Sequence, residues 1–138
     1  MKTLPVAVLV DAGSGAPLVE RTSLARTVWT RARGLLGRAP LGPGEGLWIE
    51  PCQGVHTCFM SFPIDVVFVD REGTILAVRE ALRSWRFTRI YGQSRAVLEL
   101  AAGEARRIGL APGLRVRLEP VGDRDLPTPL DSPDPPLR

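Results

Sequence analysis

The chain is poor in the residues that usually build disulfide frameworks and metal sites. Its 138 residues include two cysteines, two methionines and one histidine. Two cysteines are too few for a disulfide framework, so we expect both to be reduced, in a reducing compartment. Lysine is almost missing as well, since Lys2 is the only one, and arginine supplies the positive side of a net charge of +3. A charge this small permits acidic partners without requiring them.

Long hydrophobic runs are also missing from the sequence. No stretch approaches the roughly 20 consecutive apolar residues that a membrane-spanning helix needs. The apolar segment from Leu4 to Val10 contains Pro5, is followed by Asp11, and lacks a convincing small-residue cleavage site. We therefore expect a cytoplasmic protein that does not engage a membrane.

What the sequence does contain is typical of one globular domain. The hydrophobic fraction is 44% and the charged fraction is 24%, and both values are ordinary. We predict a single β-rich domain over residues 1–122 and a disordered, proline-rich tail over residues 123–138. Apolar residues that alternate, or run continuously between turn residues, predict seven or eight short strands. They are Val6–Val10, Leu18–Leu24, Leu47–Glu50, Val55–Met60, Ile64–Asp70, Thr74–Glu80, Ala96–Ala101 and Arg115–Glu119.

Two short helices complete the predicted fold. Thr27 has the character of an N-cap residue, and the apolar spacing after it predicts a helix of two to three turns that Gly37 can end. A second short helix is predicted over Gly103–Leu110. The fold class is therefore predicted to be mainly β, as a compact antiparallel β-barrel or a two-layer sandwich with one or two short helices.

Short motifs that recur in a fixed order suggest a known family. They are Thr27, Arg31, Gly34-Leu35 and Arg38 in the first helix; Gly46-Leu47, His56, Phe59-Met60, Asp65-Val66, Phe68, Asp70 and Gly73 in the centre; and Val97-Leu98-Glu99-Leu100, Gly103, Gly109-Leu110 and Gly113 near the end. Through them the sequence resembles the domain-of-unknown-function 192 family of bacteria and archaea, over roughly residues 4–119. The resemblance implies a compact, mainly β fold and no particular activity. Members often carry a large apolar residue where Cys58 stands, so the resemblance implies no general metal role for Cys58.

Two carboxylates interrupt strands that are otherwise apolar on both faces. A buried carboxylate such as Asp65 or Glu99 must be paired or hydrogen-bonded, and arginines of the first helix, Arg31 and Arg38, are natural partners. One interpretation is a set of ion pairs that fix the helix to the sheet. The other is a polar pocket, completed by His56, for an anionic or sugar-like ligand. We take the second as the main functional hypothesis: a module that binds an unknown small molecule or a protein.

A soft-metal site is an alternative hypothesis. If residues 55–60 are extended, His56, Cys58 and Met60 lie on one face of a strand, and Cys52 is close in sequence. Thiolate and thioether ligands suit Cu(I), whereas the cysteines and the histidine suit Zn(II). Successive positions on one face are about 7 Å apart, so the strand would have to bend to hold one ion. Core packing explains the same residues without a metal, and we predict no other cofactor.

A thiol enzyme is a third hypothesis, which leaves open whether the protein is an enzyme. His56 could act as the base for Cys52 or Cys58 in a small hydrolase or transferase.

One segment mixes exposed-type aromatics with arginines. Trp85, Phe87 and Tyr91 alternate with Arg86 and Arg89, and this composition is compatible with stacking on single-stranded nucleic acid. Because one loop carries the whole pattern, we do not expect nucleic acid to be a partner.

Overall fold

A computed structural model describes residues 4–27, 30–31, 34–35, 40–57 and 60–122 of the chain. The described part is mainly β, as predicted, with seven strands and one short helix, Glu104–Ile108. The strands are β1 (Val6–Asp11), β2 (Pro17–Ala25), β3 (Glu45–Ile49), β4 (Ile64–Val69), β5 (Ile75–Leu82), β6 (Ala96–Ala101) and β7 (Val116–Pro120). The predicted tail, residues 123–138, lies outside the described residues. No helix in the described part is long and apolar enough to cross a membrane.

All seven strands belong to one sheet, in the order β5-β4-β6-β3-β2-β1-β7. Neighbouring strands are antiparallel except β2 and β3, which are parallel. The sheet is therefore mixed, whereas the sequence predicted an antiparallel one. The connection between β2 and β3, residues 26–44, is longer than the dozen or so residues that a parallel crossover needs.

The two edge strands of the sheet, β5 and β7, meet at one end only. The Val116 amide donates to the Gly73 carbonyl at 2.8 Å, and the Ile75 amide donates to the Leu114 carbonyl at 2.9 Å. Gly73 has φ +89°, and a Cβ there would collide with the Val116 carbonyl oxygen, so the close approach requires glycine. The sheet thus curves far enough to bring its edges together at one end, without closing into a barrel.

Two hydrophobic cores cover the two faces of the sheet. The helix-side core contains Leu98 and Leu100 of β6 with Ala105 of the short helix. The loop-side core lies on the other face and contains Val97 of the same strand together with Met60. This arrangement explains why β4 and β6 are apolar at nearly every position, since both of their faces are buried.

One predicted strand, Val55–Met60, does not form in the described residues. His56 makes an isolated bridge with Phe87, and the Met60 amide donates to the Thr57 carbonyl at 3.1 Å. A hydrogen bond between residues three apart is typical of a turn rather than of a strand. The described residues therefore give no support for a common strand face of His56 and Met60, and Cys58 lies outside them.

The predicted N-cap at Thr27 is confirmed. Thr27 Oγ1 accepts from the Thr30 amide at 3.0 Å, and Thr30 Oγ1 accepts from the Thr27 amide at 3.1 Å. This reciprocal pair satisfies two amides that a helix start leaves without partners. The Arg31 amide then donates to the Thr27 carbonyl at 2.9 Å, which fixes the backbone of Arg31 in the first turn. Residues 36–39, and with them Gly37 and Arg38, lie outside the described residues.

Candidate functional site

Asp65 is buried on the helix-side face of the sheet, where three backbone amides bind its carboxylate. Oδ1 accepts from the Ala81 amide at 2.8 Å, and Oδ2 accepts from the Gly103 and Ala105 amides at 3.0 and 2.9 Å. These contacts cap the start of the short helix and tie it to β4 and β5. Backbone amides, rather than the arginines expected from the sequence, therefore satisfy Asp65.

Glu99 lies on the other face, within the loop-side core. Its neighbours in register are Leu47 of β3 and Val66 of β4, which both belong to that core. Glu99 is 5% exposed, and no described residue donates a hydrogen bond to its carboxylate. Burial raises the pKa of Glu99 from 4.5 to about 7, because the apolar surroundings disfavour the charged form. Near neutral pH, Glu99 therefore exists in both its neutral and its ionised forms.

Arg31 extends from the capped first turn toward the segment that follows β3. Its Nη1 atom donates to the Pro51 carbonyl at 3.1 Å. Its Nε atom is buried and has no hydrogen-bond acceptor among the described residues. A buried donor without an acceptor costs roughly 1–3 kcal/mol. The Nε side of this guanidinium is thus an unsatisfied donor among the described residues.

The Cys52 thiol is influenced electrostatically by both Glu99 and Arg31. Burial is the largest effect that raises the pKa of the Cys52 thiol, and the negative charge of Glu99 adds to it while the positive charge of Arg31 opposes it. The Sγ atom donates to the Gly54 carbonyl at 3.2 Å. With a raised pKa the thiol stays protonated at neutral pH, and a protonated thiol is a poor nucleophile and a poor metal ligand.

A cleft of about 1010 Å³ opens next to this group. Arg31, Ile49 and three short segments, residues 51–54, 70–72 and 92–95, line it. The antiparallel register of β4 and β6 pairs Val69 with Ala96, so the turn after β4 and the segment before β6 lie side by side. Neither wall was predicted from the sequence, because their positions follow from the pairing of β4 with β6.

The lining of the cleft carries charges of both signs. Arginine occupies positions 31, 71 and 95 of the lining, and acidic residues occupy positions 70 and 72. The Asp70 carboxylate accepts from the Glu72 and Thr74 amides at 2.9 and 2.8 Å, so the turn itself uses it. Arg95 donates to Glu50 at 3.2 Å. Arg71 forms no ion pair with another described residue, and Arg31 is likewise not neutralised by one.

His56 does not join this group. It is exposed, and its ring lies 6.0 Å from the ring of Phe87 at an angle of 47°. It does not line the cleft. Of the predicted ligand-binding residues, the structure brings Arg31 and Glu99 to the surroundings of Cys52. Asp65 lies on the opposite face of the sheet, and Arg38 is outside the described residues.

The soft-metal and thiol hypotheses gain no support from the described residues. Within the described ranges, no three His, Cys, Asp or Glu side chains are close enough to hold a metal ion. Met60 is buried in the loop-side core, and Cys52 keeps its proton at neutral pH. Any role for Cys58 stays a prediction, because that residue lies outside the described part.

Comparisons with known proteins show the family of the chain. A protein of unknown function from Novosphingobium aromaticivorans DSM 12444 has a similar crystal structure, with 27% sequence identity, a TM-score of 0.69, and coverage of 81% of this chain and 83% of that one. A protein from Sinorhizobium meliloti 1021, described as a candidate transcription regulator, is 22% identical with a TM-score of 0.71, over 86% of this chain and 97% of that one; this likeness shows the fold alone. The chain matches no curated protein sequence. The model of the domain-of-unknown-function family DUF192, described as Uncharacterized ACR, matches residues 10–118, and the chain belongs to this family.

Proposed function

We propose that the protein is a binding module whose cleft holds a small molecule through an anionic group paired with Arg31. The observation that supports this proposal most is the state of the Arg31 guanidinium. It lines the cleft, and its Nε is buried without an acceptor among the described residues. Native proteins rarely leave a buried donor unsatisfied, and such a group calls for an explanation.

The geometry of the guanidinium suggests the class of ligand. Nη1 is held by the Pro51 carbonyl, whereas Nε and Nη2 have no partner in the described part of the chain. These two nitrogens form one edge of the planar fork, and that edge matches the two oxygens of a carboxylate or a phosphate. A ligand of this class would neutralise the charge through Nη2, and it would reach the buried Nε donor once the guanidinium turned toward the cleft.

Glu99 and Cys52 would set the polarity near that anionic group. The protonated thiol of Cys52 adds no charge, and Glu99 is neutral in part near pH 7 because burial raises its pKa to about 7. A neutral carboxyl group can stand near an anion, whereas an ionised one repels it. The proposed site therefore keeps Arg31 and Glu99 from the sequence hypothesis and leaves out Asp65 and His56.

The test is thermal unfolding in the presence of defined anions. The probes are inorganic phosphate, acetate, succinate, citrate and a nucleoside monophosphate, each at up to about 10 mM, since a ligand that binds only the folded state raises Tm with its concentration. We expect at least one probe to raise the Tm of the wild type and to have no effect on Arg31→Gln.

Arg21→Gln is the matched control, because Arg21 is exposed on β2 and does not line the cleft. It should respond to the probe as the wild type does. The proposal fails if no probe shifts the wild-type Tm, or if Arg31→Gln responds as strongly as the control. Increasing the salt concentration with chloride alone separates a general ionic effect from binding.

A further inference from the structure

Three large apolar side chains are exposed within residues 85–90. Among the other described residues, Val6 is the one large apolar residue that is exposed. Trp85 is 56% exposed, Phe87 is 73% exposed and Ile90 is 65% exposed. We call these three residues the apolar surface. Single exposed apolar residues are common, but several together on a small protein usually mark an interaction site.

Backbone hydrogen bonds hold the apolar surface in place. The Trp85 amide donates to the Thr57 carbonyl at 3.1 Å, and the Thr57 amide donates to the Arg86 carbonyl at 2.9 Å. Farther along, the Thr88 amide donates to the Val55 carbonyl at 3.0 Å. Trp85 also has φ +62°, a left-handed backbone that costs a tryptophan energy. The exposed side chains thus project from a bonded framework rather than from a loose loop.

The charge around the apolar surface has one sign. The sequence has no acidic residue between Glu80 and Glu99, and none from 51 to 64, so neither bonded segment carries a carboxylate. Arg83, Arg86 and Arg89 are exposed, and none of them forms an ion pair with another described residue. A partner that covers this surface would therefore be negatively charged and would also offer an apolar or interfacial region to the exposed side chains.

We propose that the apolar surface docks onto the surface of an anionic lipid bilayer. Tryptophan and phenylalanine favour the boundary between headgroups and acyl chains, and arginine can extend its guanidinium back to lipid phosphates. Ile90 favours lipid over nucleic acid, because an aliphatic side chain has no ring on which a base could stack. The sequence prediction of no membrane contact considered spanning segments alone, whereas a surface contact needs no such helix.

The experiment measures sedimentation of the full chain with vesicles. One set of vesicles is phosphatidylcholine alone and the other contains about 30% phosphatidylserine, which gives the anionic surface that attracts arginine. We expect partitioning to be at least about tenfold greater with phosphatidylserine, and to weaken as salt is raised from about 50 mM to about 500 mM.

Two pairs of variants separate the contributions of apolar side chains and charge. Phe87→Ser with Ile90→Ser should reduce partitioning about tenfold, since less apolar area is buried at the interface. Arg86→Gln with Arg89→Gln should abolish the preference for phosphatidylserine. Val6→Ser is the apolar control, because Val6 is 37% exposed on β1, and Arg21→Gln is the charge control. Circular dichroism and the Tm of each variant check that it folds.

Two results would overturn the proposal. The first is partitioning that does not rise with phosphatidylserine at low salt. The second is that the two double variants, Phe87→Ser with Ile90→Ser and Arg86→Gln with Arg89→Gln, partition like the controls. A parallel titration with a single-stranded oligothymidylate tests nucleic acid as the partner. If the wild type binds this probe but not vesicles, and the variants of residues 86–90 lose that binding, the surface is assigned to nucleic acid. Binding to vesicles alone, weakened about tenfold in the apolar pair and without a phosphatidylserine preference in the arginine pair, supports the proposal and does not depend on the cleft.

Discussion

Asp65 and Glu99 lie on adjacent strands of one sheet but point to opposite faces. β4 and β6 pair Asp65 with Leu100 and Val66 with Glu99, and residues directly opposite each other share a face. Asp65 therefore lies over the short helix, while Glu99 lies in the loop-side core. The two buried carboxylates thus differ in their surroundings. Asp65 is bound by three backbone amides, whereas no described residue donates a hydrogen bond to Glu99.

The first prediction concerns the structural role of Asp65. Asp65→Ala removes the acceptor for three amides, of Ala81, Gly103 and Ala105. We expect a loss of at least about 3 kcal/mol in the free energy of unfolding, because buried donors lose charge-assisted bonds. Urea denaturation monitored by circular dichroism measures this loss.

Asp11 provides the matched control for Asp65. Its carboxylate also accepts from two backbone amides, of Gly13 and Ser14, but in an exposed turn. Asp11→Ala should cost less than about 1 kcal/mol, since water can replace the lost acceptor. Equal losses for the two variants would mean that Asp65 does not organise the helix and the sheet as inferred.

The elements of the fold could be predicted because their signals are local. The nearly continuous apolar runs of β4 and β6 indicate that both faces of these strands are buried. Thr27 indicates the start of a helix because its own side chain caps the first turn. The parallel pairing of β2 and β3 could not be predicted in this way. It depends on where the long connection places the chain in space, and no residue in either strand encodes that position.

The candidate site was predicted only in part for the same physical reason. Glu99 was identified because an unpaired charge among apolar residues costs free energy. Arg31 was identified as a natural partner for such a carboxylate. Their separation from Asp65 depends on strand register, and a shift of one residue would move Glu99 to the other face. His56 was assigned to the pocket without knowledge of where its segment lies, and the structure places it beside Phe87, outside the lining of the cleft. The cleft walls required knowledge of which strands are neighbours.

The second prediction concerns backbone strain at Ala81. The register of β5 changes between Arg79 and Leu82, which leaves Ala81 in a bulge opposite Asp65 with φ +50°. Glycine adopts this conformation without the clash that a Cβ brings. Ala81→Gly should therefore raise the free energy of unfolding by about 1 kcal/mol. Ala96→Gly, in β6 where the register with β4 is unbroken, should lower it by roughly 0.5–1 kcal/mol, and a loss in both variants would contradict the assignment of strain to Ala81.

The third prediction concerns the reactivity of Cys52. Burial and the charge of Glu99 raise the pKa of the Cys52 thiol, and Arg31 lowers it. At about pH 8, Glu99→Gln should therefore speed alkylation of Cys52, and Arg31→Gln should slow it, each by roughly two- to tenfold, because the thiolate is the reactive form. Tandem mass spectrometry measures the rate at Cys52, because its fragment ions separate a label on Cys52 from one on Cys58 in the peptide that contains both. Changes of the same sign in both variants would indicate general loosening of the structure instead.

The fourth prediction is a fall in stability with rising pH that depends on Glu99. The pKa of Glu99 is about 7 in the folded protein against an ordinary value of 4.5, so the folded state holds this proton more tightly than the unfolded state. Its contribution to stability is complete below about pH 4.5 and is lost as the pH rises through about 7, a total of about 3 kcal/mol. Guanidinium denaturation at several values between about pH 5 and about pH 8 measures the slope.

Glu99→Gln should remove that slope, because the amide has nearly the same shape and does not titrate. Glu20→Gln is the control, since Glu20 is exposed on β2, and it should keep the wild-type slope. If Glu99→Gln kept the slope, another titrating group would be its cause. The pKa of Glu99 would then not explain the pH dependence of stability. If the slope disappears, an anionic ligand of the cleft should bind more tightly to Glu99→Gln above about pH 7, where the wild-type carboxylate would repel it.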